Sequence, residues 1–246
     1  MEIGEEYKMV ALPKLNNTPQ YSLTIPSIDK KVYYRPYLVK EEKILLMASE
    51  SQDPAHMFKS LVDTVNACIQ DDISKEELTV FDIEYIFTQL RAKSSGETIK
   101  FKPKCQIESC GAENEAELSL EDIKVSIPDV DPVIKLTDKI HLRMKWPSYR
   151  SLFGNKDLSK LNEADQAFNM IQYCVDSVIT EEESISAKDV SEEELSEFIE
   201  SLTSDQFKLI RDYVDKIPKL KHDINYECKE CGQPNTIHLE GLRDFF

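Results

Sequence analysis

The chain has 246 residues, enough to bury a substantial core in one domain or in two closely packed lobes. Its 30 basic residues stand against 46 acidic ones, and the formal net charge of −16 disfavours binding to nucleic-acid phosphates. The sequence has no run of about 18 apolar residues, which excludes a membrane-spanning helix. Only six glycines occur and none belongs to a phosphate-binding loop, so a nucleotide-binding protein is not indicated.

The first part of the chain is predicted to be a flexible arm followed by a hairpin and a helical lobe. Residues 1–20 are polar and interrupted by proline, which indicates the arm. Residues 21–97 begin with two alternating strands and continue into three helices, the second of which opens at the Asp-Pro pair 53–54. The third helix is predicted to follow a capping box at Ser74–Glu77, with a break at Thr79.

Residues 128–219 are predicted to form a second hairpin and a second helical lobe. Alternating apolar residues at 134–146 indicate the hairpin, and residues 163–179 carry the clearest helical period of the chain. The stretch 181–200 is heavily acidic, and residues 202–217 form a further predicted helix. We interpret the acidic stretch as a solvated helix face, with a docking surface for a basic partner as the alternative.

Two cysteine pairs lie far apart in the chain. Cys105 and Cys110 have the spacing C-x4-C, whereas Cys228 and Cys231 have the spacing C-x2-C. Each pair is followed directly by a glycine, which permits the left-handed turn that points backbone amides back at a metal-bound sulfur. We therefore predict that the four thiolates hold one structural zinc ion per chain.

The segments around the two pairs resemble each other. Alternating, strand-like residues precede each pair, and Asn114 and Asn235 follow at matching offsets. We predict two strand–knuckle–strand hairpins, at 98–127 and 220–246, that form a split zinc-ribbon-like module. Everything between the pairs would then be an insertion, far longer than the roughly 15–20 residues usual between such pairs. The predicted fold class is α+β, with helical lobes and short β-hairpins joined by this module.

Other interpretations of the cysteines and histidines stay open. Disulfides are disfavoured, because the start of the chain does not look like a signal peptide and cytosolic thiols stay reduced. A C-x-x-C redox centre is an alternative, although no thioredoxin-like pattern surrounds it. His222 or His238 could replace a thiolate as ligand, since they flank the second pair. Cys68 and Cys174 lie on apolar helix faces and are predicted to be core residues.

The sequence does not indicate an enzyme. Catalytic motifs such as Gly-x-Ser-x-Gly or His-Glu-x-x-His do not occur, and the four histidines lie far apart in the sequence. Four thiolates would also leave no open coordination position for water or substrate. We expect no catalytic residues.

Several stretches of the sequence carry a family resemblance. They are both cysteine hairpins and residues 34–48, 81–87, 90–94 and 239–246. Together they resemble the baseplate hub assembly proteins of T-even-type contractile-tailed phages, from about residue 30 to the end.

The resemblance implies a non-enzymatic role in building the baseplate hub of a phage tail, with hub proteins as partners. Members of the family are described either as minor hub components or as assembly factors absent from the finished tail. The expected place of work is the host cytoplasm during assembly, and a place in the virion tail stays open. No nucleic acid and no membrane are expected as partners. Two alternatives are a zinc-ribbon regulatory factor associated with nucleic acid, which would need a basic face, and a hydrolase or redox enzyme of the tail.

Overall fold

The computed structural model describes residues 18–51, 53–153 and 162–241. In these residues the chain combines seven α-helices with four small antiparallel sheets, so the predicted mixture of α and β structure is confirmed. The helices are α1 (Val39–Glu50), α2 (Pro54–Cys68), α3 (Val80–Ser95), α4 (Tyr149–Phe153), α5 (Glu163–Cys174), α6 (Glu192–Glu200) and α7 (Ser204–Val214). The strands are β1 (Tyr21–Ile25), β2 (Lys30–Tyr34), β3 (Thr98–Phe101), β4 (Ala116–Ser119), β5 (Lys124–Val125), β6 (Val133–Lys135), β7 (His141–Met144), β8 (Val175–Ile179), β9 (Ser184–Ser186), β10 (Leu220–Glu227) and β11 (Pro234–Glu240). Most of the predicted arm, and the last five residues of the predicted zinc-ribbon-like module, lie outside the described residues.

A first hydrophobic core lies between the hairpin β1–β2 and the helices α2 and α3. Ile25, Val65 and Leu90, one from each of these elements, are fully buried in it. Helix α2 begins as predicted, because the carboxylate of Asp53 accepts a hydrogen bond from the N–H of Ala55 at 3.0 Å. The core therefore joins elements that are neighbours in the sequence, and Tyr149 of α4 packs against it from a distant part of the chain.

Helix α3 has a different N-terminal cap from the predicted one. Ser74 makes no side-chain cap bond and precedes only a short 3-10 turn, so the predicted capping box there is wrong. The hydroxyl of Thr79 accepts from the N–H of Asp82 at 3.2 Å, and the Asp82 carboxylate accepts from the N–H of Thr79 at 2.9 Å. Asp82 also accepts from the N–H of Ser27 at 3.0 Å. Ser27 lies in the turn of the first hairpin, distant in sequence from α3. Its hydrogen bond favours the Thr79–Asp82 cap over the predicted cap at Ser74.

A nearly buried ion pair lies beside the first core. The guanidinium of Arg35 donates to the carboxylate of Glu41 at 2.9 Å and to the carbonyl oxygen of Ala67 at 3.1 Å. The N–H of Leu38 donates to the other Glu41 oxygen at 2.8 Å. Burial raises the pKa of Glu41, but the hydrogen bonds from Arg35 and Leu38 outweigh it, so the pKa lies below its usual value. The pair fixes the start of α1 to the end of α2.

A second hydrophobic core lies between a four-stranded sheet, of order β6-β7-β8-β9, and the helices α5, α6 and α7. The predicted hairpin is present, and Ile134 of β6 pairs with Leu142 of β7. Leu142, Ile199 and Ile210 are fully buried. This core is the main apolar contact of the segment that separates the two cysteine pairs.

The predicted helix at 163–179 is wrong beyond Cys174. Residues Val175–Ile179 form strand β8, and Val178 pairs with Leu142 of β7. Three of these five residues are β-branched, which favours an extended backbone once a neighbouring strand is available. The apolar spacing continued a helical period by chance, and the pairing partner is distant in sequence.

The two cysteine hairpins, β3–β4 and β10–β11, share a third core. Its fully or nearly fully buried members are Ala92, Ala116, Leu118, Leu120, Ile123, Leu220 and Ile224. Strand β5 pairs with the start of β10, which sets Val125 opposite Leu220. The segment 126–219 therefore leaves and returns at adjacent positions. We call residues 98–125 and 220–240 the cysteine module.

In the part of the chain that the structure describes, none of the helices has the length and apolar character that crossing a membrane requires.

Candidate metal centre

The two cysteine hairpins have the same strand register. In the first, Ile99 pairs with Leu118, and in the second, His222 pairs with Leu239. Counted from the first cysteine of each pair, Ile99 and His222 occupy the same position, and Leu118 and Leu239 lie at matching offsets after the glycines. The similarity that the sequence indicates around the cysteines thus extends to backbone pairing.

Each hairpin ends in a tight turn that a glycine closes. Gly111 has φ +57° and Gly232 has φ +68°, both in the left-handed region that the sequence predicts for them. The N–H of Gly232 donates to the carbonyl oxygen of Cys228 at 2.9 Å, and the N–H of Gly111 donates to that of Ile107 at 3.1 Å. These turns fold the second cysteine of each pair back beside the first.

The structure brings all four predicted cysteines together. Their sulfur atoms lie within 4.8 Å of one another. The sulfurs of Cys105 and Cys231 are 3.7 Å apart, and so are those of Cys110 and Cys228. A disulfide would need about 2.0 Å. Four sulfurs around one zinc ion, with Zn–S bonds of about 2.3 Å, lie about 3.8 Å apart. The donor set and its spacing are compatible with a metal site.

The thiols of the cluster differ in acidity. The N–H groups of Cys231 and Glu230 donate to the sulfur of Cys228 and hold its pKa at about 6. The N–H of Gln233 lowers the pKa of Cys231, but desolvation and the thiols of Cys228 and Cys105 outweigh it and raise that pKa to about 12. Close thiolates repel one another, and a bound cation removes that repulsion. The arrangement suits a cation better than four free thiolates.

The remaining cysteines and the nearby histidines lie apart from the cluster. Cys68 and Cys174 are fully buried in the first and second cores, as predicted, and burial raises their pKa values to about 11 and about 12. His238 bonds to Asp223 on the exposed surface of the hairpin, with Nδ1 at 2.7 Å from the carboxylate. Among the described residues, the group of potential metal ligands consists of the four cysteines alone.

Two buried asparagines join the hairpins, and their role could not be predicted from their matching offsets in the sequence. Asn114 and Asn235 are only 2% and 4% exposed. The side-chain oxygen of Asn114 accepts from the N–H of Lys229 at 2.8 Å. The oxygen of Asn235 accepts from the N–H of Gln106 at 2.7 Å. Each asparagine therefore contacts the opposite cysteine turn.

Two surface regions away from the cluster expose groups that commonly bind proteins. On the outer face of α1, which we call the α1 surface, Val39, Leu46 and Met47 are 79%, 61% and 57% exposed. The acidic residues 181–183 and 192–194 are exposed as well, the latter in the first turn of α6. The sequence predicts the helix at 39–50 as an alternative docking surface if the acidic stretch is only a solvated face, and the exposed apolar side chains of α1 are compatible with that prediction.

These features define a protein of mixed α and β structure in which two distant segments meet at a four-thiol centre compatible with a metal ion. The chain belongs to the T4 bacteriophage base plate protein family, whose model matches residues 18–246. It is similar to the baseplate hub assembly protein gp26 of Enterobacteria phage T4, with 25% identity over 229 residues, which covers 92% of this chain and 98% of that protein. No solved structure matches the chain. The family resemblance inferred from the sequence is confirmed.

Proposed function

We propose that the protein helps to build the baseplate hub of a phage tail, as a non-enzymatic assembly factor or a minor hub component that binds hub subunits. The observation that carries this proposal is the family match over residues 18–246, together with a relative named as a hub assembly protein that aligns over almost its whole length. The protein would act in the host cytoplasm during assembly. A place in the finished tail is compatible with the same family.

The exposed surfaces support protein binding as the activity. The α1 surface places three large apolar side chains in solvent, which costs hydration free energy unless a partner covers them. Between α5 and α6 an open groove is lined by the carboxyl side chains of Asp165, Glu193 and Glu200, with Phe168 among the apolar lining. A basic subunit surface would complement this groove, and its binding would weaken as salt rises. The net charge of −16 disfavours the nucleic-acid alternative.

We also propose that Cys105, Cys110, Cys228 and Cys231 hold one zinc ion and that the cysteine module is a split zinc ribbon. The sulfur spacing of 3.7 Å in two pairs, and the matching registers of the two hairpins, support this proposal. Bound zinc would supply a cross-link between the two segments and no open coordination position for a substrate. Its role would be structural.

We further propose that the chain divides into a lobe at 21–97, a lobe at 128–219 and a split zinc-ribbon-like module at 98–127 and 220–246, of which the described part contains the cysteine module. The three hydrophobic cores follow this division in most of their residues; Ala92 of the first lobe belongs to the third core, and Tyr149 of the second lobe packs against the first core.

Co-purification tests the hub proposal. A tagged copy of the chain, expressed during phage infection, should bring down hub subunits, and probing purified mature tails for the chain should separate a retained component from a transient factor. Recovery of no hub protein at any stage of assembly, from cells in which the tagged copy supports phage growth, would contradict the proposal.

Two sets of surface variants locate the contact. Serine at Val39, Leu46 and Met47 tests the α1 surface, and Leu209→Ser, also at an exposed apolar residue, is its matched control. Loss of hub subunits from the first variant alone would assign the contact to α1.

The acidic surface is tested by charge neutralisation. One variant carries Gln at residues 181–183 and another carries Gln at residues 192–194; glutamine at 194 can keep the capping box of α6. Glutamine at Glu108, Glu113 and Glu227, which are exposed in the cysteine module, is the control for the change in charge. If only the variants at 181–183 or 192–194 lose hub subunits, the acidic stretch is a docking surface; if neither does, it is a solvated face.

A further inference from the structure

The side-chain oxygens of Asn114 and Asn235 cross between the hairpins in a reciprocal way. Asn114 accepts from the N–H of Lys229, the residue after the first cysteine of the second pair. Asn235 accepts from the N–H of Gln106, the residue after the first cysteine of the first pair. Exchanging the two hairpins therefore turns one contact into the other.

Other contacts of the cysteine module also have a counterpart when the two hairpins are exchanged. The amide nitrogen of Asn114 donates to Ala112 at 3.0 Å, and that of Asn235 donates to Gln233 at 2.8 Å, each to a carbonyl two residues earlier in its own hairpin. The side chain of Gln106 reaches the carbonyl oxygen of Thr236 at 2.8 Å, directly after Asn235. The Lys229 ammonium lies 3.4 Å from Glu115, directly after Asn114.

The two close pairs of sulfur atoms are also related by exchange of the two hairpins. Cys105 lies 3.7 Å from Cys231 and Cys110 lies 3.7 Å from Cys228, so the first cysteine of each pair meets the second cysteine of the other. The amide nitrogen of Asn114 is also 3.6 Å from the sulfur of Cys228. The asparagines therefore fix the backbone of the residue next to a predicted ligand and, in one case, contact the sulfur itself.

We propose that Asn114 and Asn235 are the positioning residues of the metal centre: each fastens the opposite cysteine turn, so that the four sulfurs are gathered before a metal ion binds. The inference rests on the proposed zinc site and adds residues outside the four ligands. Groups that hold metal ligands in place contribute strongly to affinity, because they reduce the ordering that binding must impose. Both side chains are almost completely buried, so removing either one leaves a backbone N–H of the opposite turn without its acceptor.

Zinc affinity of the full chain is the first measurement. Asn114→Ala and Asn235→Ala should each weaken zinc binding about 10- to 100-fold in competition with a chromogenic chelator, the usual loss for such residues. Asn225→Ala is the matched control, because Asn225 is exposed on β10 and bonds within its own hairpin, accepting from Thr236 at 2.7 Å. Bound cobalt should keep its four-thiolate absorption spectrum in both alanine variants, since all four ligands remain.

Amide hydrogen exchange in the metal-free chain is the second measurement, and it does not depend on zinc. Asn114→Ala should speed exchange of the Lys229 amide and leave the Gln106 amide unchanged, whereas Asn235→Ala should do the reverse. Asn114→Asp retains the acceptor oxygen but loses the donor to Ala112, so it should slow exchange at Lys229 relative to Asn114→Ala.

The two measurements separate the possible failures. A wild-type chain that binds neither zinc nor cobalt contradicts the zinc proposal, and the crosswise exchange pattern then still decides whether the asparagines fasten the two turns. Unchanged zinc affinity in both alanine variants overturns the positioning role. So does fast exchange of the Gln106 and Lys229 amides in the metal-free wild-type chain.

Discussion

The first core and the cysteine module are stabilised in different ways. The first core packs large apolar side chains, such as Ile25, Ile86 and Leu90, from elements that follow one another in the sequence. The third core, formed by the cysteine module and Ala92 of α3, is smaller, includes two alanines among its buried residues, and joins segments on either side of residues 126–219. Small cores commonly need a cross-link to be stable. We therefore predict that apolar burial suffices for the first core, whereas the module depends on a metal ion held by its four thiols.

Loss of a thiol should have the largest effect. Cys105→Ser or Cys231→Ser should abolish the binding of about one zinc ion per chain and destabilise the cysteine module by about 5 kcal/mol or more, because binding of a structural zinc is coupled to folding. Metal analysis of protein purified without chelator, combined with thermal unfolding, measures both effects. Ser109→Ala, an exposed change within the first cysteine turn, is the control. A chelator-treated wild-type chain with unchanged thermal stability would contradict the prediction.

A cavity in the first core should lower the stability of the chain without changing its zinc content. Leu90→Ala removes most of a fully buried side chain and should cost about 4 kcal/mol of unfolding free energy, from lost burial and the cavity left behind. Zinc content should not change, because Leu90 belongs to the first core and not to the cysteine module. Urea unfolding with parallel metal analysis checks this. Loss of zinc from a folded Leu90→Ala chain would show that the two regions are not independent.

The ion pair of Arg35 and Glu41 should make the first lobe sensitive to acid. Because the folded-state pKa of Glu41 is lowered, the pair stabilises the fold above the unfolded pKa, and this contribution is lost as the pH falls through the folded pKa. Glu41→Gln should cost about 2 kcal/mol at neutral pH, the order of a charged hydrogen bond, and should flatten the acid dependence. Glu42→Gln, at the exposed neighbouring position, should do neither. Urea unfolding at several pH values measures both effects.

The helix cap offers the smallest and most local test. Thr79→Ala removes the side-chain acceptor at the start of α3 and should cost about 1 kcal/mol, whereas Ser74→Ala should cost close to nothing. Unfolding midpoints of the two variants decide between the observed cap and the one that the sequence predicted. Equal losses would mean that Ser74 also contributes to the fold.

The sequence predicted the features that depend on residues close together in the chain. The Asp53 cap, the left-handed glycines at 111 and 232, and the hairpin around Asp138 each follow from a few neighbouring side chains. The grouping of the four cysteines was predictable for a related reason, since each spacing brings two thiols together and the two pairs make up the usual ligand set of one structural zinc ion.

The features that the sequence did not predict depend on distant partners. Strand β8 follows α5 without a turn signal and is extended because β7 lies beside it. The Thr79–Asp82 cap gains a donor from Ser27, which no local pattern contains. The roles of Asn114 and Asn235 require knowledge of which turn each one faces.

The pairing of Val125 with Leu220 has a consequence for how members of this family can vary. The residues 126–219 begin and end side by side, and away from these ends Ser148 pairs with Thr79 and the N–H of Tyr149 donates to Leu78. Closing a loop twice as long costs only about 0.6 kcal/mol more. Relatives could therefore lengthen or shorten the second lobe without rebuilding the cysteine module, provided that they keep the contact of Tyr149 with the first core.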